Sequence, residues 1–287
     1  MSQDFAASVR ARLLNIAKNQ GVDFNQILMR FTLERLLYRL GQSEHAGLYL
    51  LKGALLFTLW YDMPHRPTRD ADLLGFGASD LESIARSFRD IASVVVNDGI
   101  VFDPASVKVE EIRKEAGYTG ARVLIRAELS KARCKTQIDI GFGDAVTPGS
   151  VNAKYPVLID ELPAPHLQTY PVYTVVSEKL HAIALLGMTN SRLKDYFDLS
   201  VLVERESLDI DTLAKAIAAT FVRRGMVVPT ELPIGLTDEF ATDVSRQTLW
   251  LAFLKKNDLE RMPLTDIVTA LRVNLQPALA LAVFVKK

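Results

Sequence analysis

Apolar residues recur at spacings of three and four over residues 6–19 and again over 24–40, where Ile27, Phe31, Leu33, Leu36, Leu37 and Leu40 share one face, so both stretches predict amphipathic helices. Gly41 and Ser43 end the second. The next run, LYLLKGALLFTLWYD, opens as a short apolar strand over residues 48–51, crosses Lys52-Gly53 and resumes helical spacing through Leu56, Leu59 and Trp60. Pro64 and Pro67 keep His65, Arg66 and Thr68 out of a regular helix, after which RDADLLGFG alternates as a strand does. Residues 81–98 predict a helix with Ile84, Phe88 and Ile91 on one face. Three strands follow, over 107–112, 122–129 and 135–142, the last two forming a hairpin across Ser130 to Arg133.

Residues 144–173 carry Pro148, Pro156, Pro163, Pro165 and Pro171 and predict a loop-rich linker over the surface. Helical spacing then returns over 175–186, 194–205, 211–223, 239–257 and 264–281. This order predicts an α+β chain: a mixed sheet flanked by helices over residues 1–150, then an all-helical domain over 151–287.

Composition narrows the partners. Of 287 residues, 49% are hydrophobic, enough for one large core or two smaller ones, while Lys plus Arg and Asp plus Glu both count 34. With zero formal net charge, any nucleic-acid contact must come from a local basic patch. The lone Cys134 has no partner for an internal disulfide, which fits a reducing, cytoplasmic setting. The opening MSQDFAASVRARLL lacks the pattern of a secretory signal, and the apolar runs fall short of the roughly 20 residues of a membrane span. A cytoplasmic protein without membrane contact is expected.

Asp70 and Asp72 stand two apart in a strand, so both carboxylates project from one face and offer the hard oxygen ligands that suit Mg²⁺ or Mn²⁺. Paired acids on a strand are commonly just solvated, and the weight rests on their company. Lys52-Gly53 sits between strand and helix, where backbone N–H groups can receive phosphate, although a tight turn alone would also explain the glycine. Arg66 and Arg69 bracket Thr68 just ahead of the acids, as a phosphate site or as a solvated loop. Asp139 stands between Ile138 and Ile140; on a strand beside that of Asp70 it would complete a carboxylate triad, and otherwise it faces solvent. The four histidines form no zinc-ligand set, no glycine-bracketed serine elbow occurs, and the two GFG turns are not a dinucleotide fingerprint.

The succession LLKGALLFTLW, RPTRDADLL and IDI resembles the nucleotidyltransferase core of the AbiEii/AbiGii-type toxins, in which a Lys-Gly-Gly or similar turn precedes Arg-x-Ser/Thr-x-Asp-x-Asp. The second glycine of that turn is Ala54 here. The stretch VVSEKLHAIALLGMTNSRLKDYFDLSVLV is similar to the family's Glu-Lys helix and the Lys/Arg-Asp-x-x-Asp helix after it, so the resemblance spans roughly residues 30 to 205.

The resemblance implies a metal-dependent nucleotidyltransferase of the type IV toxin–antitoxin class. It assigns metal to Asp70, Asp72 and Asp139, and nucleotide to Lys52, Gly53, Arg66, Thr68, Arg69 and Lys179. Asp195 becomes the downstream acid, with Asp198 one helical turn further on, and spacing leaves open which of the two acts. A nucleoside triphosphate is the implied donor, RNA (tRNA ends above all) the implied acceptor, and an antitoxin the implied partner. A binding module on the same fold without turnover, and a transferase acting on a small molecule, are the other readings. From the residues alone, Lys179 and Asp195 also read as a surface or interhelical ion pair worth little; if Lys179 instead neutralises triphosphate charge, replacing it by Ala should weaken nucleotide binding and hardly change folding.

Overall fold

A computed structural model describes residues 3–61, 68, 70–113, 119–260 and 262–285. The chain opens with α1 (Gln3–Gln20) and α2 (Phe24–Gln42), the latter started by Asp23, whose carboxylate accepts from the Asn25 N–H. There follow β1 (Tyr49–Lys52), α3 (Leu55–Tyr61), β2 (Asp70–Gly75), α4 (Leu81–Ser93), β3 (Ile100–Arg113), β4 (Thr119–Leu129), β5 (Ala132–Phe142), β6 (Val151–Lys154) and β7 (His166–Thr169). The strands form one seven-stranded mixed sheet in the order β3-β4-β5-β2-β1-β7-β6, with β5–β2 and β1–β7 parallel and the other pairs antiparallel.

Alternation along the strands decides which face is covered. Ala71, Leu73 and Ile138 bound the same apolar space as Leu33, Leu36 and Leu37 of α2 and Phe88 and Ile91 of α4, all of them buried. Each of these leucine, isoleucine and phenylalanine side chains contributes about 1.5–3 kcal/mol. At the rim of this layer Arg39 of α2 donates to both oxygens of the buried Asp98, at 2.6 and 3.1 Å, and to the carbonyls of Val94 and Ile100. That bond set explains two departures from expectation: α4 stops at Ser93 instead of running to Asp98, and β3 starts at Ile100, with its register shifting between Asp103 and Lys108. The β4–β5 hairpin turns tightly on Ser130 and Lys131, whose φ values of 43° and 68° match the twist of the flanking strands.

The expected linker is partly sheet. Residues 151–169, expected in the helical domain, supply β6 and β7, and two compact units result: residues 1–143 with 151–169, and residues 144–150 with 170–287. The buried Glu34 accepts from the Leu158 N–H at 2.8 Å, and Arg35 donates to the Pro163 carbonyl at 2.9 Å, tying this segment to α2.

The second unit holds α5 (Val172–Leu186), α6 (Leu193–Arg205), α7 (Ile210–Arg223), α8 (Asp238–Thr242), α9 (Val244–Lys256) and α10 (Leu264–Ala282). The single helix expected over 239–257 is broken at Asp243, which has an extended backbone and caps α9 through the Arg246 N–H. Tyr196, Phe221, Phe240 and Trp250 fill the core of this unit. The architecture is the mixed sheet with flanking helices, followed by C-terminal helices, that the pattern predicts. Among the described residues, no helix is long and apolar enough to cross a membrane.

Candidate active site

Strand register assembles the first group of site residues. Lys52 of β1 pairs with Asp72 of β2, Asp72 with Asp139 of β5, Asp139 with Arg122 of β4, and Arg122 with Glu110 of β3. Directly opposed residues share a face, so five strands carry one transverse row of charged side chains. Its neighbours in sequence, Ala71, Leu73, Ile138, Ile140, Ala121 and Val123, are buried on the other face, and a slip of one residue would bury the charges instead. Asp70 lies one rank away, opposite Gln137. Asp139 therefore sits on the strand next to the Asp-x-Asp strand and on the same face.

The turn after β1 closes on Asp72. Gly53 has φ +75°, and a Cβ built there would collide with the Asp72 Oδ2 and stand 2.8 Å from the Asp72 Cβ. Backbone thus approaches the carboxylate where only glycine fits. Lys52, beside it, is buried. The Thr68 hydroxyl donates to Asp70 Oδ1 at 2.9 Å. Arg66 and Arg69 lie outside the described residues.

Asp139 is held from the opposite side. Arg122 donates from Nε to Oδ1 at 2.9 Å and from Nη2 to Oδ2 at 2.8 Å, and Gln137 Nε2 adds a third bond at 3.2 Å. The hydrogen bonds to Asp139 raise the pKa of the guanidinium further. The Asp139 side chain is 12% exposed and that of Arg122 is 35% exposed. The only three-residue group among the described residues whose possible ligand atoms converge within 4.8 Å of one another is Glu44, His45 and Asp90; Asp70, Asp72 and Asp139 do not meet that closely as a set. Arg122, the partner of Asp139 in this row, is a residue that sequence reasoning missed. Its face is legible from the alternation of Arg122, Leu124 and Arg126 with the buried Val123, Ile125 and Ala127, but its partner depends on register.

A second group forms within the helical unit. Lys179 of α5 donates to Asp195 Oδ1 at 2.9 Å and Asp198 Oδ2 at 2.6 Å, and Arg192 Nε donates to Asp195 Oδ2 at 2.7 Å. Asp195 and Asp198, three apart on α6, share a face, and Asp195 in the first turn also meets the positive end of the helix dipole. Both carboxylates are fully buried, and the Lys179 side chain is 13% exposed. Burial pushes the Asp195 carboxyl up, but Lys179 and Arg192 together outweigh it and hold the group below its ordinary value. The expectation of an ion pair worth little is corrected here: the partners are desolvated, so losing one strands a charge in the interior. His181, one turn along from Ser177, packs edge-on against Phe221 at 5.0 Å, and burial, aided by Arg224 and opposed by Asp144, pushes its imidazole down to about 4.

The family model described as Nucleotidyl transferase AbiEii toxin, Type IV TA system, matches residues 35–273. Among solved structures, a putative nucleotidyltransferase from H. pylori shares 16% identity at a TM-score of 0.51, covering 91% of this chain and 97% of its own. JHP933 from Helicobacter pylori shares 15% identity at a TM-score of 0.53, covering 91% of this chain and 94% of its own. At those identities the likeness is one of fold. No curated protein matches the chain in sequence.

Proposed function

This chain belongs to the AbiEii family of nucleotidyl transferase toxins of type IV toxin–antitoxin systems, and from that premise we propose that it moves a nucleoside monophosphate from a nucleoside triphosphate to a hydroxyl of RNA, with tRNA ends as the acceptor class and an antitoxin as its restraining partner. The observation that carries the reading is the position of Asp72, between the Lys52–Gly53 turn on one side and Asp139 on the other.

The donor set suits Mg²⁺ or Mn²⁺: carboxylate oxygens from Asp70 and Asp72, a third acid on the adjacent strand, and a glycine where a Cβ would fill the space beside Asp72. Asp70 and Asp72 would hold the ion, with Asp139 beside them. Bound there, a divalent ion supplies Lewis-acid neutralisation of phosphate oxygens. The chain does the positioning. Lys52 and the backbone of the Gly53 turn receive the triphosphate, with Thr68, Arg66 and Arg69 on the approach to Asp70. The family resemblance assigns Lys179 to triphosphate charge and Asp195 to the downstream acid; within the helical unit Lys179 donates to both Asp195 and Asp198. In the transfer, the acceptor oxygen bonds to the α-phosphorus, the α–β phosphoanhydride bond breaks, pyrophosphate leaves with the electron pair and the hydroxyl proton passes to water.

Incubation of the protein with Mg²⁺, each labelled nucleoside triphosphate in turn and total RNA tests this. Label in RNA that disappears with Asp72→Ala supports the reading. Label recovered only on a small molecule, or on nothing while RNA is still bound, overturns it in favour of a small-molecule transferase or a binding module.

A further inference from the structure

The charged row gives the site a direction across the sheet. β1 flanks β2 on one side, and β5, β4 and β3 follow in order on the other. In the transferase reading, on which this inference rests, the triphosphate occupies the turn at the β1 end. Phosphoryl-type displacement places the attacking and leaving oxygens roughly in line. Pyrophosphate leaving toward β1 therefore requires the acceptor hydroxyl to arrive over β5 and β4.

We propose that the uncovered face of β3, β4 and β5, beginning at Arg122, is the acceptor platform and takes the phosphodiester backbone of a single-stranded nucleic-acid end. The same alternation that aims Asp139 at the site places Gln137, Lys135 and Arg133 behind it along β5, and Arg126 behind Arg122 along β4. Register sets these in ranks. Lys108 of β3 opposes Leu124, which opposes Gln137; Arg126 opposes Lys135; Glu128 opposes Arg133. Lys108, Arg126, Arg133 and Lys135 are all exposed. Arg126 is bridged by Asp103 at 2.9 Å and Arg133 loosely by Glu128 at 3.9 Å, whereas among the described residues no acid pairs with Lys108 or Lys135. Arg122 spends Nε and Nη2 on Asp139, which leaves its Nη1 edge for a ligand. The face also carries Glu110, Glu128 and Asp103, so the positive charge it offers a ligand is that of Lys108 and Lys135, on the side from which in-line geometry brings the acceptor. Polyphosphate chains bind through such contacts, and a single strand with a free end can present its terminal hydroxyl to Asp72 while its flexible backbone runs its phosphates down β5.

The test is the double variant Lys108→Glu/Lys135→Glu of the full chain, with Lys18→Glu on the exposed side of α1, which makes half that charge change away from the sheet face, as the control. Anisotropy of a short fluorescein-labelled single-stranded RNA, without nucleotide, is expected to show binding weakened about tenfold or more, and a log-affinity against log-salt slope shallower by about 1.4 for two lost phosphate contacts. KM for the nucleoside triphosphate should stay as in wild type while kcat/KM for RNA falls with the affinity. RNA binding and salt slope equal to wild type, or an equal loss in the Lys18→Glu control, overturns the platform, as does a change confined to self-association in sedimentation. If wild type transfers no nucleotide but the double variant still loses RNA binding, the platform stands and the transferase reading fails; if wild type transfers and the double variant matches it, the platform alone fails.

Discussion

Asp72 and Asp139 on the sheet, and Asp195 and Asp198 in the helical unit, are two aspartate pairs whose charges are managed in different ways. The strand pair shares one polar face, with Lys52 and Arg122 at the two ends of the row, and the face continues into solvent-exposed residues. The helix pair is sealed, with both carboxylates fully buried and bonded to Lys179, and Asp195 bonded to Arg192 as well. An acid on a strand face that opens to solvent can be replaced at little cost to the core. Acids that hold a lysine in the interior are part of the core, and removing their partner is a folding event. Chemical type alone does not separate the two; desolvation does.

Breaking the sealed set should have the largest effect. Lys179→Ala leaves two buried carboxylates without their shared cation and is expected to cost on the order of 3–5 kcal/mol in denaturant unfolding; a loss below about 1 kcal/mol would place Lys179 with the adaptable strand residues instead. Acid sharpens the same point. Asp195 titrates below its ordinary value of 3.8, so its contribution is present above that pH and is lost as pH falls through the lowered value. Asp195→Asn, weakened at neutral pH, should therefore lose less further stability than wild type on acidification below about pH 4, as followed by circular dichroism.

The strand pair should behave in reverse. Asp72→Ala is expected to reduce nucleotide transfer by about a hundredfold or more while stability changes by less than about 1 kcal/mol, since removing one of two neighbouring like charges relieves repulsion. Retained transfer in this variant would remove Asp72 from the site. Gly53→Ala tests how far the turn and the acid are one device: positive φ and the clash with Asp72 predict a loss of about 1–3 kcal/mol in thermal unfolding together with impaired nucleotide binding. The smallest effect is expected at His181. With its folded value near 4, its ring should show no titration by NMR between about pH 6 and 8, and a midpoint in that interval would mean the interior of the helical unit is wetter than its packing indicates.

Much of the fold and of the site is legible in the amino-acid sequence, because it is local. The helical stripe of α2, the alternation of β4 and β5 and the same-face geometry of Asp70 and Asp72 follow from periods of 3.6 and 2, and the hairpin expected across Ser130 to Arg133 is two residues longer than the turn that forms. The family blocks, being short and ordered, are equally plain. The elements that the pattern misses have distant reasons: β6 and β7, four residues each, exist because the sheet edge beside β1 and the clamps from Glu34 and Arg35 receive them, and α4 ends early because Asp98 is needed by Arg39.

By itself, then, the sequence determined the α+β class, the family, the order of the motifs and the face on which each acid lies. Tertiary structure alone decided which charges meet: that Asp139 stands in register with Asp72 and is gripped by Arg122, and that Lys179 is buried against two aspartates. The physical reason is that periodicity orients a side chain relative to its own backbone, whereas pairing and desolvation depend on which other strand or helix is placed against it, and no local pattern encodes that.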